Sequence, residues 1–131
     1  MKVCSNCDTE KSFNEFYERR NDSYGDGYAG QCKVCIKDKG MQRKYGITLE
    51  EYFDILDHQG GVCAICKTDK WGKDNKPHID HDHETGLVRA LLCTTCNMGL
   101  GSFRDDISLL ARAIEYLVVF TESNVRRRDI E

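Results

Sequence analysis

The sequence predicts a small α+β protein made of two metal-stapled, treble-clef-like units, with connecting and C-terminal helices. Three observations lead there. The eight cysteines of the 131-residue chain form four CxxC pairs, Cys4/Cys7, Cys32/Cys35, Cys63/Cys66 and Cys93/Cys96. The pairs are themselves paired, with residues 8–31 inside the first couple and 67–92 inside the second, so one arrangement occurs twice. A chain this short, 40% hydrophobic, builds a thin core, and small folds make up that deficit with disulfides or metal.

Each unit reads as a CxxC knuckle, a stretch able to form a hairpin, and a second CxxC leading into a helix. In the first, Lys11-Ser-Phe-Asn-Glu-Phe-Tyr17 alternates weakly as a strand would, Asp22 to Gly30 is rich in turn formers, and Lys33 to Tyr45 suits a helix apart from Gly40. Thr48-Leu-Glu-Glu51 is a capping-box pattern, and Tyr52, Phe53, Ile55 and Leu56 give the following helix an apolar face that ends at Gly60-Gly61. His78 to His83 and Leu87 to Leu92 are short extended runs joined by Glu84-Thr85-Gly86, with Pro77 placed just before the first, where it interrupts no ladder. A last helix from about Ile107 to Phe120 carries Ile107, Leu110, Ala111, Ile114, Leu117 and Val118 at helical spacing, a stripe expected to be core, with a dimer interface as the alternative. Asn124 to Glu131, including Arg126 to Arg128, reads as a frayed tail. The expected division is 1–45 as an N-terminal zinc module, 46–106 as the functional core and 107–131 as helix and tail.

The N-terminal MKVCSNCDTE has neither the basic flank nor the apolar run of a secretory signal, and no apolar stretch approaches a membrane span. A cytoplasmic protein without a membrane partner is therefore expected. In a reducing compartment, paired cysteines read as metal ligands or redox centres. A redox CxxC wants one motif at a helix start in a βαβ context, whereas four thiolates in two hooks suit a closed tetrahedral Zn²⁺ site with no position left for water. Two structural zinc ions are expected, on Cys4, Cys7, Cys32 and Cys35 and on Cys63, Cys66, Cys93 and Cys96. Two Cys₄ sites take the formal charge from −3 to about −7, so any nucleic-acid binding must rest on local basic surface.

The second unit carries His78-Ile-Asp-His-Asp-His83 between its cysteine pairs, and Asn97 directly follows its last cysteine. Alone, the histidine cluster could as well be a further zinc site or a solvated loop as part of a catalytic site. Asp80 and Asn97 offer oxygen ligands of the kind Mg²⁺ prefers, and His81 offers an imidazole that is neutral near physiological pH and suited to a general base. Phosphodiester hydrolysis needs that combination of hard cation and base. An ideal strand points Asp80 and His81 to opposite faces, so the strand must end or distort at that pair if both serve one phosphate.

Residues 59–101, QGGVCAIC…HIDHDHETGLVRALLCTTCNMGLG, resemble the phage recombination endonuclease VII family, whose pattern is CxxC, DHDH, glycine, VR, LC and CN ending near LG. The resemblance implies that the second unit is a ββα-metal (His-Me finger, HNH) nuclease motif. It implies Asp80 and Asn97 as Mg²⁺ or Mn²⁺ ligands, His81 as general base, and His78 and His83 as accessory histidines near substrate or phosphate. The zinc ligands match as well. One residue departs: the best-known member has an acidic residue in the turn after the asparagine, where this chain has Leu100.

Arg89 suits a bidentate phosphate clamp, its ordinary alternative being a surface arginine. Aligned on the second CxxC of each half, Arg19 and Arg20 stand where Asp80 and His81 do and Ile36 where Asn97 does, so the first unit has zinc without a catalytic set. Lys33, Lys37, Lys39, Arg43 and Lys44, against the lone acid Asp38, suggest a phosphate-tracking face, of which Lys33, Lys37, Arg43 and Lys44 are the expected DNA contacts. The expected function is a metal-dependent DNA endonuclease acting on duplex or branched DNA, with Holliday-junction resolution as one form. The alternatives are a non-catalytic double zinc-finger adaptor and a sequence-preferring nicking or homing enzyme. Paired cuts across a junction call for a homodimer, a single nick only for a monomer.

Overall fold

The structure is a computed structural model that describes every residue except Asp22, Tyr24 and residues 123–131, so the expected tail and Arg126 to Arg128 lie outside the described residues. Its chain divides into two compact units, Met1–Val62 with Ile79–Leu91, and Cys63–His78 with the described part of Leu92–Glu131. This differs from the division at 45 and 106, because the second hairpin bonds with the first unit.

The first unit starts with a knuckle held between β1 (Lys2–Val3) and β2 (Glu10–Lys11), which pair antiparallel as Lys2↔Lys11 and Val3↔Glu10. Within it the Cys4 N–H donates to Thr9 O at 3.0 Å and the Asp8 N–H to Cys4 O at 2.9 Å. The expected strand over residues 11–17 is instead broken by a single 3-10 turn at Phe13–Glu15, where Glu15 reaches back to accept from the Ser12 N–H at 3.2 Å. Beyond it, β3 (Phe16–Glu18) pairs antiparallel with β4 (Tyr28–Cys32), with a register shift between Phe16 and Glu18. Phe16, Cys4, Cys32 and Cys35 form a buried cluster flanked by Tyr28, so the sulfurs themselves are a large share of this core.

Helix α1 (Lys33–Tyr45) begins directly after Cys32 and runs straight through Gly40. It stops at Gly46, whose φ of 71° lets its N–H turn back to Gln42 O at 2.9 Å. Helix α2 (Leu49–His58) opens on the expected capping box, with Thr48 Oγ1 accepting from Glu51 N at 3.1 Å and Glu51 Oε2 from Thr48 N at 2.7 Å. Asp38 on α1 also accepts from Leu49 N at 2.7 Å, tying the start of α2 to α1.

The first unit's second segment, Ile79–Leu91, makes up most of a hairpin of β5 (His78–His81) and β6 (Val88–Leu92). Gln59, just past α2, acts as a strand substitute: its Nε2 donates to Leu91 O and its Oε1 accepts from Leu91 N, both at 2.9 Å, and Nε2 also donates to Val62 O at 2.9 Å. Leu91 is fully buried there.

The second unit repeats the knuckle. The Cys63 N–H donates to Thr68 O at 2.9 Å and the Lys67 N–H to Cys63 O at 3.0 Å. The chain then passes buried Trp71, whose carbonyl accepts from Thr94 N at 2.9 Å and Thr94 Oγ1 at 3.0 Å. Gly72 is required at that approach, with φ 98° and Thr94 Oγ1 only 2.5 Å from where a Cβ would stand. Helix α3 (Thr94–Ser102) has Cys93 as N-cap, and Asp106 caps α4 (Ile107–Glu122) by accepting from Leu109 N at 3.0 Å.

On α4 the expectation of a core stripe fails. Ile107, Ile114, Leu117 and Val118 are all exposed, Ile107 at 83%, and only Leu109, Leu110 and Ala113 are half-buried among its apolar residues. Helical periodicity marks a face without saying whether the chain covers it. Among the described residues, no helix is long and apolar enough to cross a membrane.

Candidate active site and metal centres

The eight cysteines gather as the spacing predicts, into Cys4, Cys7, Cys32, Cys35 and Cys63, Cys66, Cys93, Cys96, with the sulfurs of each set within 4.8 Å of one another. Zn–S bonds of about 2.3 Å in a tetrahedron set neighbouring sulfurs about 3.8 Å apart. Cys4 and Cys35 lie at 3.9 Å and Cys66 and Cys93 at 3.7 Å, far beyond disulfide bonding and fitted to a shared ion.

Electrostatics within each set points the same way. The Cys32 backbone N–H, joined by those of Cys7 and Asn6, lowers the Cys4 thiol to about 6 against the effect of burial. At Cys63 burial is the largest influence and raises the pKa, yet the N–H groups of Cys93, Cys66 and Ile65 outweigh it and bring the thiol to about 6. Their companions go the other way. The Asn6 side chain favours the Cys35 thiolate, but Cys32, burial, Cys7 and Cys4 push it to about 12. Burial, then Cys93, Cys66 and Cys63, push Cys96 up to about 12. Four sulfurs this close ionise together only around a cation, so each set fits a structural Zn²⁺.

The carboxylate and imidazole singled out in the sequence sit at the end of β5. Asp80 is the one buried charged side chain among the described residues, and His81, half-buried, is the last residue of the strand before the chain turns. Asp82 shapes that turn: its Oδ1 accepts from Glu84 N at 2.9 Å, Thr85 N at 2.7 Å and Thr85 Oγ1 at 3.0 Å. The Thr85 backbone bond, followed by its hydroxyl and the Glu84 N–H, holds the Asp82 carboxyl below its ordinary value.

Arg89, on β6, grips Asp80 with both ends of its fork, Nε to Oδ2 at 2.6 Å and Nη2 to Oδ1 at 3.0 Å. The burial of Asp80 is thereby compensated by a bidentate, charge-assisted pair. Each carboxylate oxygen retains a second lone pair, so the pairing is compatible with a hard cation. Asn97 lies in the first turn of α3, its N–H donating to Cys93 O at 3.0 Å. Its side-chain amide makes no hydrogen bond among the described residues, leaving a neutral oxygen donor of the same hard type.

The remaining predicted residues have varied surroundings. His78 Nε2 lies 3.0 Å from Thr94 Oγ1, fastening the first residue of β5 to the first residue of α3. His83 is exposed, its ring centroid 5.0 Å from that of His81. Lys33 donates to Asn14 O at 2.7 Å and lies over the Tyr17 ring, a local tie. Lys37, Arg43 and Lys44 line a shallow depression of about 620 Å³ with Gly40, Met41 and Tyr45. Three residues escape a reading of the sequence: Gln59 behind β6, Thr94 under His78, and Tyr45, whose ring meets that of His81 at 6.1 Å. None carries a local signal, because each partner is far along the chain.

Two clusters of four cysteines, together with a buried carboxylate followed by an imidazole, define a metal-binding protein with a candidate hydrolytic site. The recombination endonuclease VII family pattern matches residues 38–119, and the chain belongs to that family. It is 55% identical over 74 residues to the Gene 59 protein of Mycobacterium phage D29, covering 56% of this chain and 44% of the relative. The Gene 59 protein of Mycobacterium phage L5 is 53% identical over 75 residues, covering 56% and 45%. The match thus spans less than half the length of these relatives. Among solved structures, the ββα-Me type II restriction endonuclease Hpy99I aligns with 91% of this chain and 65% of its own at 29% identity, with a TM-score of 0.41.

Proposed function

We propose that this chain is an endodeoxyribonuclease that hydrolyses DNA phosphodiester bonds with one Mg²⁺ or Mn²⁺, on a frame held by two structural Zn²⁺. The observation that carries the reading is the buried Asp80, held bidentately by Arg89 and followed by His81 where β5 ends, in a chain of the endonuclease VII family. A structural hairpin has no need of a buried carboxylate at that position.

Asp80 and Asn97 supply the oxygens that would hold the cation, which when bound neutralises charge on the phosphate and the leaving oxygen. His81 takes the proton from the attacking water in its neutral form. Arg89 orients Asp80 and is proposed to meet a substrate phosphate as well. His78, fastened by Thr94, holds the start of the strand, and His83 and His78 are proposed as accessory groups toward the phosphate. Leu100 adds no acidic ligand. Lys33, Lys37, Arg43 and Lys44 are proposed to track the DNA backbone.

The test is cleavage of four-way junction, linear duplex and single-stranded DNA with Mg²⁺ or Mn²⁺, using wild type and His81→Ala. Loss of the base is expected to slow cleavage by about 10²–10⁴-fold with zinc content and DNA binding kept. DNA binding without any cutting would favour the adaptor reading, and wild-type cutting by His81→Ala would remove His81 from its role. Resolution of a junction by paired cuts requires two sites. The exposed apolar face of α4 supports a homodimer, which Ile114→Asp should convert to monomer in sedimentation if that face is the interface. The phage relatives support action in a host cytoplasm.

A further inference from the structure

A general base works only if one ring nitrogen faces the water it deprotonates, and a histidine at the end of a strand turns freely about two side-chain bonds. Such histidines are ordinarily oriented by a hydrogen bond to the other nitrogen. Among the described residues His81 has none. Its ring instead meets two others, Tyr45 at 6.1 Å and 60° and His83 at 5.0 Å and 53°, tilted arrangements of the kind aromatic pairs favour.

These two neighbours differ in what they can fix. His83 is exposed and rides on the turn after His81, so it moves with the ring it would orient. Tyr45 is the last residue of α1, a helix whose first turn holds Cys35 of the first thiolate cluster and whose Asp38 binds the start of α2. Its ring is half-buried and carries the Lys44 ammonium 5.0 Å from its centroid. A reference anchored independently of the hairpin is what a mobile imidazole needs.

We propose that Tyr45 is a positioning residue for His81, its ring setting the rotamer of the imidazole from the end of α1. The inference rests on the nuclease reading for its kinetic consequence and on the ring contact alone for its placement. The hydroxyl has no part in it. Aromatic pairs of this kind shift a rotamer population by roughly 3- to 10-fold, which sets the expected loss in kcat. Substrate contacts are unchanged, so KM stays within about twofold.

The experiment compares full-length, zinc-loaded wild type, Tyr45→Leu and Tyr45→Phe. Proton NMR of histidine-labelled protein should show the His81 ring protons displaced by the Tyr45 ring current in wild type and Tyr45→Phe, and relaxed in Tyr45→Leu. Magnesium-dependent cleavage should show the kcat loss in Tyr45→Leu alone. Unchanged His81 ring shifts and unchanged kcat in Tyr45→Leu would overturn the proposal, as would Tyr45→Phe failing like Tyr45→Leu. Should Tyr45→Leu not fold, nuclear Overhauser contacts between the Tyr45 and His81 ring protons in wild type decide, their absence being fatal. A wild type that never cuts DNA defeats the nuclease reading, while the NMR arm still decides the placement of Tyr45.

Discussion

The two cysteine knuckles are one structure made twice, whereas the hairpins they lead into differ in kind. In both knuckles, the first cysteine donates to a threonine carbonyl, Thr9 or Thr68, and accepts from a residue with positive φ, Asp8 at 52° or Lys67 at 61°. In both units, the third cysteine, Cys32 or Cys93, caps a helix. The first hairpin closes on apolar atoms, with Phe16 buried against the sulfurs and Tyr28 beside it. The second buries a carboxylate and answers it with Arg89, and it borrows a strand partner from Gln59. A metal-held frame is thus indifferent to what its hairpin carries. Apolar packing fills the one and a buried ion pair the other, and the ion pair brings polar supports that the first hairpin lacks.

The largest test of that comparison removes the shared frame. Both clusters should hold zinc, two ions per chain, and chelation should unfold the protein, since structural zinc supplies about 10–16 kcal/mol of apparent binding energy in small domains. Metal analysis finding one zinc or none in folded protein would break the equivalence. Cys63→Ser should harm cleavage more than Cys4→Ser, because its cluster anchors the helix that bears Asn97.

Next comes the support peculiar to the second hairpin. Arg89→Met leaves Asp80 without its fork, and with 37% of the Arg89 side chain exposed the expected loss in urea unfolding is about 1–3 kcal/mol. Arg89→Lys should recover little, because an ammonium cannot serve both oxygens in one plane. Stability equal to wild type in Arg89→Met would mean that Asp80 reaches solvent as readily as an exposed residue. Gln59→Ala is expected to cost about 1–2 kcal/mol through the unpaired Leu91 N–H and C=O. Gln59→Glu should do no better, having no N–H for the Leu91 and Val62 carbonyls.

The smallest expected effect lies on α1. Lys37→Ala with Lys44→Ala should leave stability nearly untouched and lower the salt slope of DNA binding by roughly 2, one for each phosphate no longer neutralised. An unchanged slope would return those lysines to an ordinary solvated face.

Much of the frame is legible in the sequence because its signals are local. CxxC spacing reports which sulfurs can share an ion, Thr48 and Glu51 cap α2 within one turn, and Gly46 stops α1 through its own backbone freedom. Gly40 is a weaker breaker than its identity suggests, since a lone glycine costs a helix only about 1 kcal/mol relative to alanine. The run from Lys11 reads as one strand because weak alternation hides the Ser12–Glu15 contact that folds it into a turn.

By itself, then, the sequence determined the two thiolate clusters, the order of hairpins and helices, and the candidacy of Asp80, His81 and Asn97. These rest on residue chemistry and on contacts a few positions long. Only the tertiary structure decided that Arg89 holds Asp80, that Gln59 completes β6 from 32 residues away, and that Tyr45 lies against His81. It also decided that the apolar stripe of α4 faces outward. A periodic pattern describes the surface an element offers, but what meets that surface depends on where the rest of the chain comes to lie.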